Sequence, residues 1–195
     1  MRLLRTTAIL VVPVLLAAAA FAGAQRERPT WRGTIRVSMA RLARQAKVTK
    51  AQAEKTALDS VHAADKKLLR SELAAENDSL IYEVKISTGG KTVEVLVDAG
   101  NGKVLKEGEQ GSIQLGLARM AKVDKATAEK AALAAVQGAD ADKSIGESEL
   151  EVEHDFLIYE IDVKVKNQPG VTEVIVDAGN GKVLATEHES GEGEG

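Results

Sequence analysis

The sequence predicts an α+β protein made by tandem duplication, each unit an amphipathic helix packed on a small antiparallel sheet. Three observations carry this. The nonapeptide VDAGNGKVL occurs at Val97 to Leu105 and again, unchanged, at Val176 to Leu184. AKVTKAQAEKTAL at Ala46 to Leu58 matches AKVDKATAEKAAL at Ala121 to Leu133, and LIYE recurs at Leu80 and Leu157. Within each unit the apolar period changes from helical spacing to strict alternation. The offsets between matched blocks are 75, 77 and 79, so the length changes fall between the blocks, where loops absorb them. A unit of about 70 residues is longer than a solenoid repeat and long enough to form a small domain.

Taken in order, the first 24 residues have the form of a secretory signal peptide. Arg2 and Arg5 precede an uncharged Ala-rich run, broken by Pro13, that ends at the small residues Ala22-Gly23-Ala24. The expected organisation is a signal peptide at 1–24, a basic linker at 25–37, one repeat at 38–109, the second at 110–189 and a flexible acidic tail at 190–195. An exported location follows, periplasmic or extracellular. With no Cys in the chain, stability must come from packing alone. Without Arg2 and Arg5 the chain carries 24 basic and 29 acidic side chains. Eight of the basic residues lie between Gln25 and Lys50, against Glu27 alone. With only Trp31 there to stack on a base, that stretch reads as a solvated linker and not a nucleic-acid arm.

In each repeat a short helical pattern comes first, through Leu42 and Ala46 and through Leu117 and Ala121. Thr49 and Gln52 then form a capping box, with Asp124 as the matching N-cap, and Ala53, Ala57, Leu58 and Val61 recur at helical spacing. Runs at Leu68 to Glu76 and Ser144 to Glu153 add a strand before the alternating Leu80, Tyr82, Val84, Ile86 and Leu157, Tyr159, Ile161, Val163. Gly89-Gly90 suits a two-residue hairpin turn. The register it sets pairs Ile86 with Val93, Val84 with Val95 and Tyr82 with Val97, and places Lys85 opposite Glu94.

The nonapeptide reads as a turn. It lacks the third glycine and following helix of a phosphate cradle, and the bidentate Glu of an EF-hand. An irregular calcium site on Asp98 and Asn101 is the remaining alternative. In the turn reading Asp98 and Asp177 accept from backbone two residues on, while Gly102 and Gly181 take the left-handed conformation.

This order, with LIYEVKI, a hairpin, then VEVLVDAGNGKVL, resembles the PepSY domain over about Ala46 to Leu105 and Ala121 to Leu184. The resemblance implies a helix on a small antiparallel sheet, an exported or membrane-attached setting, and restraint of a peptidase, here a separate chain because no zinc-binding helix follows. It brings no catalytic residues. Tyr82, Asp98, Tyr159 and Asp177 fall on its motif positions, where they imply roles in the fold.

The inventory of reactive groups is thin. His62, His154 and His188 are scattered along the chain, and Glu151, Glu153, His154 and Asp155 form the one local metal-capable cluster, with a solvated strand end as its simpler reading. No cofactor or metal set is called for. Asn77-Asp78-Ser79 has the form of a glycosylation sequon. On the sheet face opposite Leu80 and Tyr82, the apolar residues Ile81, Leu96, Phe156, Ile158 and Ile175 interrupt a polar pattern. Either they form a surface for a peptidase or other envelope partner, or the repeats pack on each other there and hide them. An envelope structural or weak metal-buffering protein is the alternative function.

Overall fold

The computed structural model describes residues 30–106 and 108–189. The segments expected to be a signal peptide and an acidic tail, with residues 25–29 of the linker, lie outside them. Among the described residues no helix is long and apolar enough to cross a membrane.

Among the described residues the two repeats build one antiparallel sheet of seven strands. The strands are β1 (Lys67–Glu76), β2 (Ser79–Thr88), β3 (Lys91–Asp98), β4 (Lys143–Glu153), β5 (Phe156–Val165), β6 (Val171–Asp177) and β7 (Val183–Glu189). Their spatial order is β3-β2-β1-β4-β5-β6-β7, so each repeat is a meander and the two join along β1 and β4. The predicted register holds: Ile86 faces Val93, Val84 faces Val95, Tyr82 faces Val97, and Lys85 meets Glu94 at 3.5 Å. Gly89 and Gly90 sit at φ 57° and 77°, the mirror-image turn whose twist suits a two-residue hairpin.

Among the described residues three α-helices precede or separate the strands: α1 (Met39–Leu42), α2 (Lys50–Ser60) and α3 (Lys125–Ala135). The start of α2 is fixed by its capping box, in which Thr49 and Gln52 satisfy each other's backbone N–H, and that of α3 by Asp124 accepting from Thr127 N at 2.7 Å. Helix α2 lies on β1, β2 and β3, and α3 on β4 to β7. Ala53, Ala57, Ala128 and Ala132 are completely buried, and their lack of side-chain bulk lets the helices approach the sheet closely. Under them lies a single core that includes Leu80, Val84, Ile86 and Val97 from one repeat and Leu157, Ile161, Val163 and Val176 from the other.

The joint between repeats is short. Glu76 pairs with Glu151, and the Asn77 N–H donates to the Leu150 carbonyl at 2.8 Å. The Asn77 amide donates to Glu149 at 2.7 Å, so the sequon asparagine is part of the joint.

Candidate binding surfaces

A second set of contacts ties the repeats together, and it is built on the duplicated nonapeptide. Asp98 is 1% exposed and accepts from Gly100 N at 2.7 Å, as the turn reading requires. Gly102 and Gly181 have φ of 76° and 73°, the left-handed values expected. The Asp98 carboxylate also accepts from Ser112 N at 2.7 Å and from the Ser112 hydroxyl at 3.0 Å. In the second repeat Asp177, equally buried, accepts from Thr34 N at 3.0 Å and the Thr34 hydroxyl at 2.9 Å.

Each repeat thus receives a segment from the leading end of the other. Gly33-Thr34-Ile35-Arg36-Val37 docks on repeat two and Gly111-Ser112-Ile113-Gln114-Leu115 on repeat one. Main-chain bonds match in the two places. Leu157 N donates to Ile35 O and Val37 N to Asp155 O, as Leu80 N donates to Ile113 O and Leu115 N to Asp78 O. Asp155 accepts from Met39 N at 2.8 Å, and Asp78 accepts from Leu117 N, capping the short turn that follows each segment. A Cβ on Gly100 would lie 2.3 Å from the Ser112 hydroxyl, and one on Gly179 would lie 2.1 Å from that of Thr34. That contact explains why the third residue of Asp-Ala-Gly is glycine in both copies.

The linker expectation for 25–37 therefore needs correction at its end, because Gly33 to Val37 is an integral part of the fold. Its mate, Gly111 to Leu115, stands at the head of repeat two in sequence but completes repeat one. Tyr82 and Tyr159 have related tasks: their hydroxyls donate to Val48 O at 2.8 Å and Val123 O at 2.9 Å, fixing the residue before each helix N-cap to the sheet.

The expected apolar patch is largely closed. Ile81, Ile158 and Ile175 are 3%, 0% and 7% exposed, and only Leu96 and Phe156 keep partial exposure. Ile81 sits beside Asp98 and Ile158 beside Asp177, where the exchanged segments bind. Phe156 is covered further by Gly33, by Trp31 at 6.4 Å between ring centroids and by the Arg36 guanidinium at 5.5 Å. The five residues do not make one open apolar surface.

What the open face presents instead is carboxylate. Cross-strand pairing places Glu72 beside Glu83, Glu149 beside Glu160, Glu160 beside Ile175 and Asp162 beside Glu173, with Glu187 next in the row. In repeat one two of these acids have basic partners: Lys85 pairs with Glu94, and Arg70 with Glu72 at 2.6 Å. In repeat two Asp162 occupies the position of Lys85, so the equivalent of that ion pair is two acids opposite each other. Burial and the Glu149 charge push Glu76 up to about 9, burial and Glu94 push Glu83 to about 7, and burial and Glu160 push Glu173 to about 8. Burial, with Glu160 as neighbour, raises Glu151 well above the carboxylate range, and burial raises Asp162.

Among the described residues no group of three or more His, Asp or Glu is arranged so that it could hold a metal ion. Of the cluster at Glu151 to Asp155, Asp155 caps α1 and His154 lies 3.1 Å from Glu153. His188 is on β7, 3.3 Å from the Thr172 hydroxyl.

The fold defines a duplicated helix-on-sheet module. The family described as "Peptidase propeptide and YPEB domain", PepSY, matches residues 47–107 and 122–187. The chain belongs to that family, and carries two PepSY domains in tandem. Domains of this family are propeptide-like regulatory or binding modules, generally without catalytic activity. A crystal structure from Clostridium difficile 630, described as that of a lipoprotein, is similar at 20% identity, covering 64% of this chain and 84% of that one with a TM-score of 0.28. At that score it adds nothing to the fold argument. No curated protein matches the chain.

Proposed function

We propose that the chain is an exported, non-catalytic module that restrains a separate peptidase. The observation that carries this reading is the match of both repeats, over most of the mature sequence, to a domain of peptidase propeptides. The amino-terminal charge pattern at Arg2 to Ala24 supports export. The open face supplies a surface of definite chemistry. With Asp162 where repeat one has Lys85, repeat two sets two acids opposite each other, Asp162 and Glu173, and a basic partner surface would stabilise their ionised forms and be attracted by them. The earlier expectation of an apolar contact gives way to an electrostatic one.

The test is a pull-down of host envelope and culture-fluid proteins on the mature chain, with recovered proteins assayed for peptidase activity. A peptidase recovered stoichiometrically and inhibited on rebinding, with inhibition weakening between 50 and about 300 mM salt, supports the proposal. Recovery of envelope polymers alone refutes it, and a rise in melting temperature with millimolar calcium then favours metal buffering.

A further inference from the structure

The pair of exchanged segments defines a ligand. Both have the form Gly, then Ser or Thr, then Ile, any residue, then Val or Leu, and both lie extended in the same pocket of the fold. Each position has a physical reason. Glycine is first because a Cβ on Gly33 would lie 2.9 Å from Phe156 Cβ and one on Gly111 3.2 Å from Ser79 Cβ. The hydroxyl and its own N–H bind the two oxygens of a buried Asp, giving a bidentate, charge-assisted contact. Ile35 and Ile113 pack against the core, the next side chain (Arg36, Gln114) is exposed, and Val37 and Leu115 return to the core. The main chain supplies two hydrogen bonds, to Leu157 and Asp155 in one slot and to Leu80 and Asp78 in the other.

The two residents are tethered differently. Gly111 to Leu115 leads into α3 through the short turn at Leu117–Arg119 without such an insertion as the other segment has. Gly33 to Val37 is joined to α2 through a connection that holds Ala43-Arg44-Gln45, three exposed residues with no counterpart in repeat two. Its contacts could be remade by any chain of the same pattern.

We propose that the repeat-two slot formed by Asp155, Phe156, Leu157, Asp177 and Gly179 is a peptide-recognition site. Its ligand is an extended partner segment of the form Gly-Ser/Thr-Ile-x-Val/Leu, and Gly33 to Val37 is its displaceable resident. Binding is strand addition closed by an Asp clamp on a Ser or Thr hydroxyl. The tethered resident competes at an effective concentration on the order of millimolar, so the slot of the intact chain is open to a ligand only when the resident is weakened or outcompeted.

The experiment uses the full mature chain and a fluorescent peptide copied from residues 110–116, the resident of the other slot. Ile35→Asp, which weakens the resident and leaves the slot intact, raises peptide capture at least tenfold over the wild type. Adding Asp177→Asn to that variant, or replacing the peptide's Ser by Val, returns capture to the wild-type level, while adding Asp98→Asn does not. Far-UV circular dichroism reports folding; should Ile35→Asp unfold, Thr34→Val, which removes one hydroxyl, gives about a threefold rise. A folded variant that captures no peptide, or whose capture ignores Asp177→Asn, overturns the proposal. Capture is read with a synthetic peptide, so it succeeds or fails independently of the peptidase reading.

Discussion

Asp98→Ala is the sharpest test of the exchanged architecture. The carboxylate is 1% exposed and holds three donors: the N–H groups of Gly100 and Ser112 and the Ser112 hydroxyl. A hydrogen bond to a charged group contributes about 1.5–3 kcal/mol, but the three share one acceptor and water reaches the exposed Ser112 once the carboxylate is gone. A net loss of about 3 kcal/mol follows, which for a chain of this size lowers Tm by about 6–12 °C. Ser112→Ala removes only the hydroxyl and costs about 1 kcal/mol. Thermal unfolding of the two single variants and the double variant closes a cycle, in which the double variant falls no lower than Asp98→Ala by more than about 0.5 kcal/mol. A turn that merely accepts from Gly100 predicts otherwise: a loss under about 1 kcal/mol for Asp98→Ala and full additivity with Ser112→Ala. That result would refute the claim that the nonapeptide joins the repeats.

Three further outcomes are expected. Glu76, Glu83 and Glu173 have folded-state pKa values of about 9, 7 and 8, above the ordinary 4.5 of the unfolded chain, so the folded state holds protons that the unfolded state releases. Stability is therefore fullest near pH 4.5 and declines toward pH 9; a scan of Tm against pH that rises through this window would contradict the assignment. Asp162→Lys, which copies the Lys85–Glu94 pair into repeat two, stabilises the chain at pH 8 by about 0.5–1 kcal/mol and flattens that scan, as chemical denaturation at pH 5 and pH 8 can show. Tyr159→Phe loses the hydrogen bond to Val123 O at a cost of about 1 kcal/mol, visible as a Tm lower by about 2–4 °C, and an unchanged Tm would deny the tyrosine its tethering task.

Periodicity made the helices and the hairpin register legible, since Leu80, Tyr82, Val84 and Ile86 can face Val93, Val95 and Val97 in one way only without turning Lys85 and Glu94 inward. The exchanged segments were harder to read. Thr34 and Asp177 lie 143 residues apart, and the segments match by chemistry, Thr for Ser and Val for Leu, so a search for identical blocks passes over them. The signal was present: Gly33-Thr34-Ile35 and Gly111-Ser112-Ile113 share two identities in three at an offset of 78. The apolar patch failed for a related reason. Alternation says which face a side chain takes, and nothing in it says how far neighbouring strands and segments will bury that face. The carboxylate face was readable in part, because setting Lys85 against Asp162 follows from the LIYE alignment, yet the crowding that raises Glu76 depends on β1 meeting β4.

The exchange also changes what the duplication means. Two complete domains in tandem could each be deleted without loss to the other. Here each repeat lacks its own leading segment: Asp98 and the Leu80 N–H need Ser112 and Ile113, while Asp177 and the Leu157 N–H need Thr34 and Ile35. A repeat cut away would leave a buried carboxylate and a strand-end N–H facing solvent, and its partner would lose the bidentate contact that fixes its segment. The unit of folding is therefore the pair, which the single core beneath both helices also requires. That dependence leaves position 162 free of structural duty, since the joint, the core and both slots hold without a cation there. It explains how repeat two can carry the opposite charge at the position of Lys85 while keeping LIYE and VDAGNGKVL letter for letter, and it places that difference between the halves on the open face of the sheet.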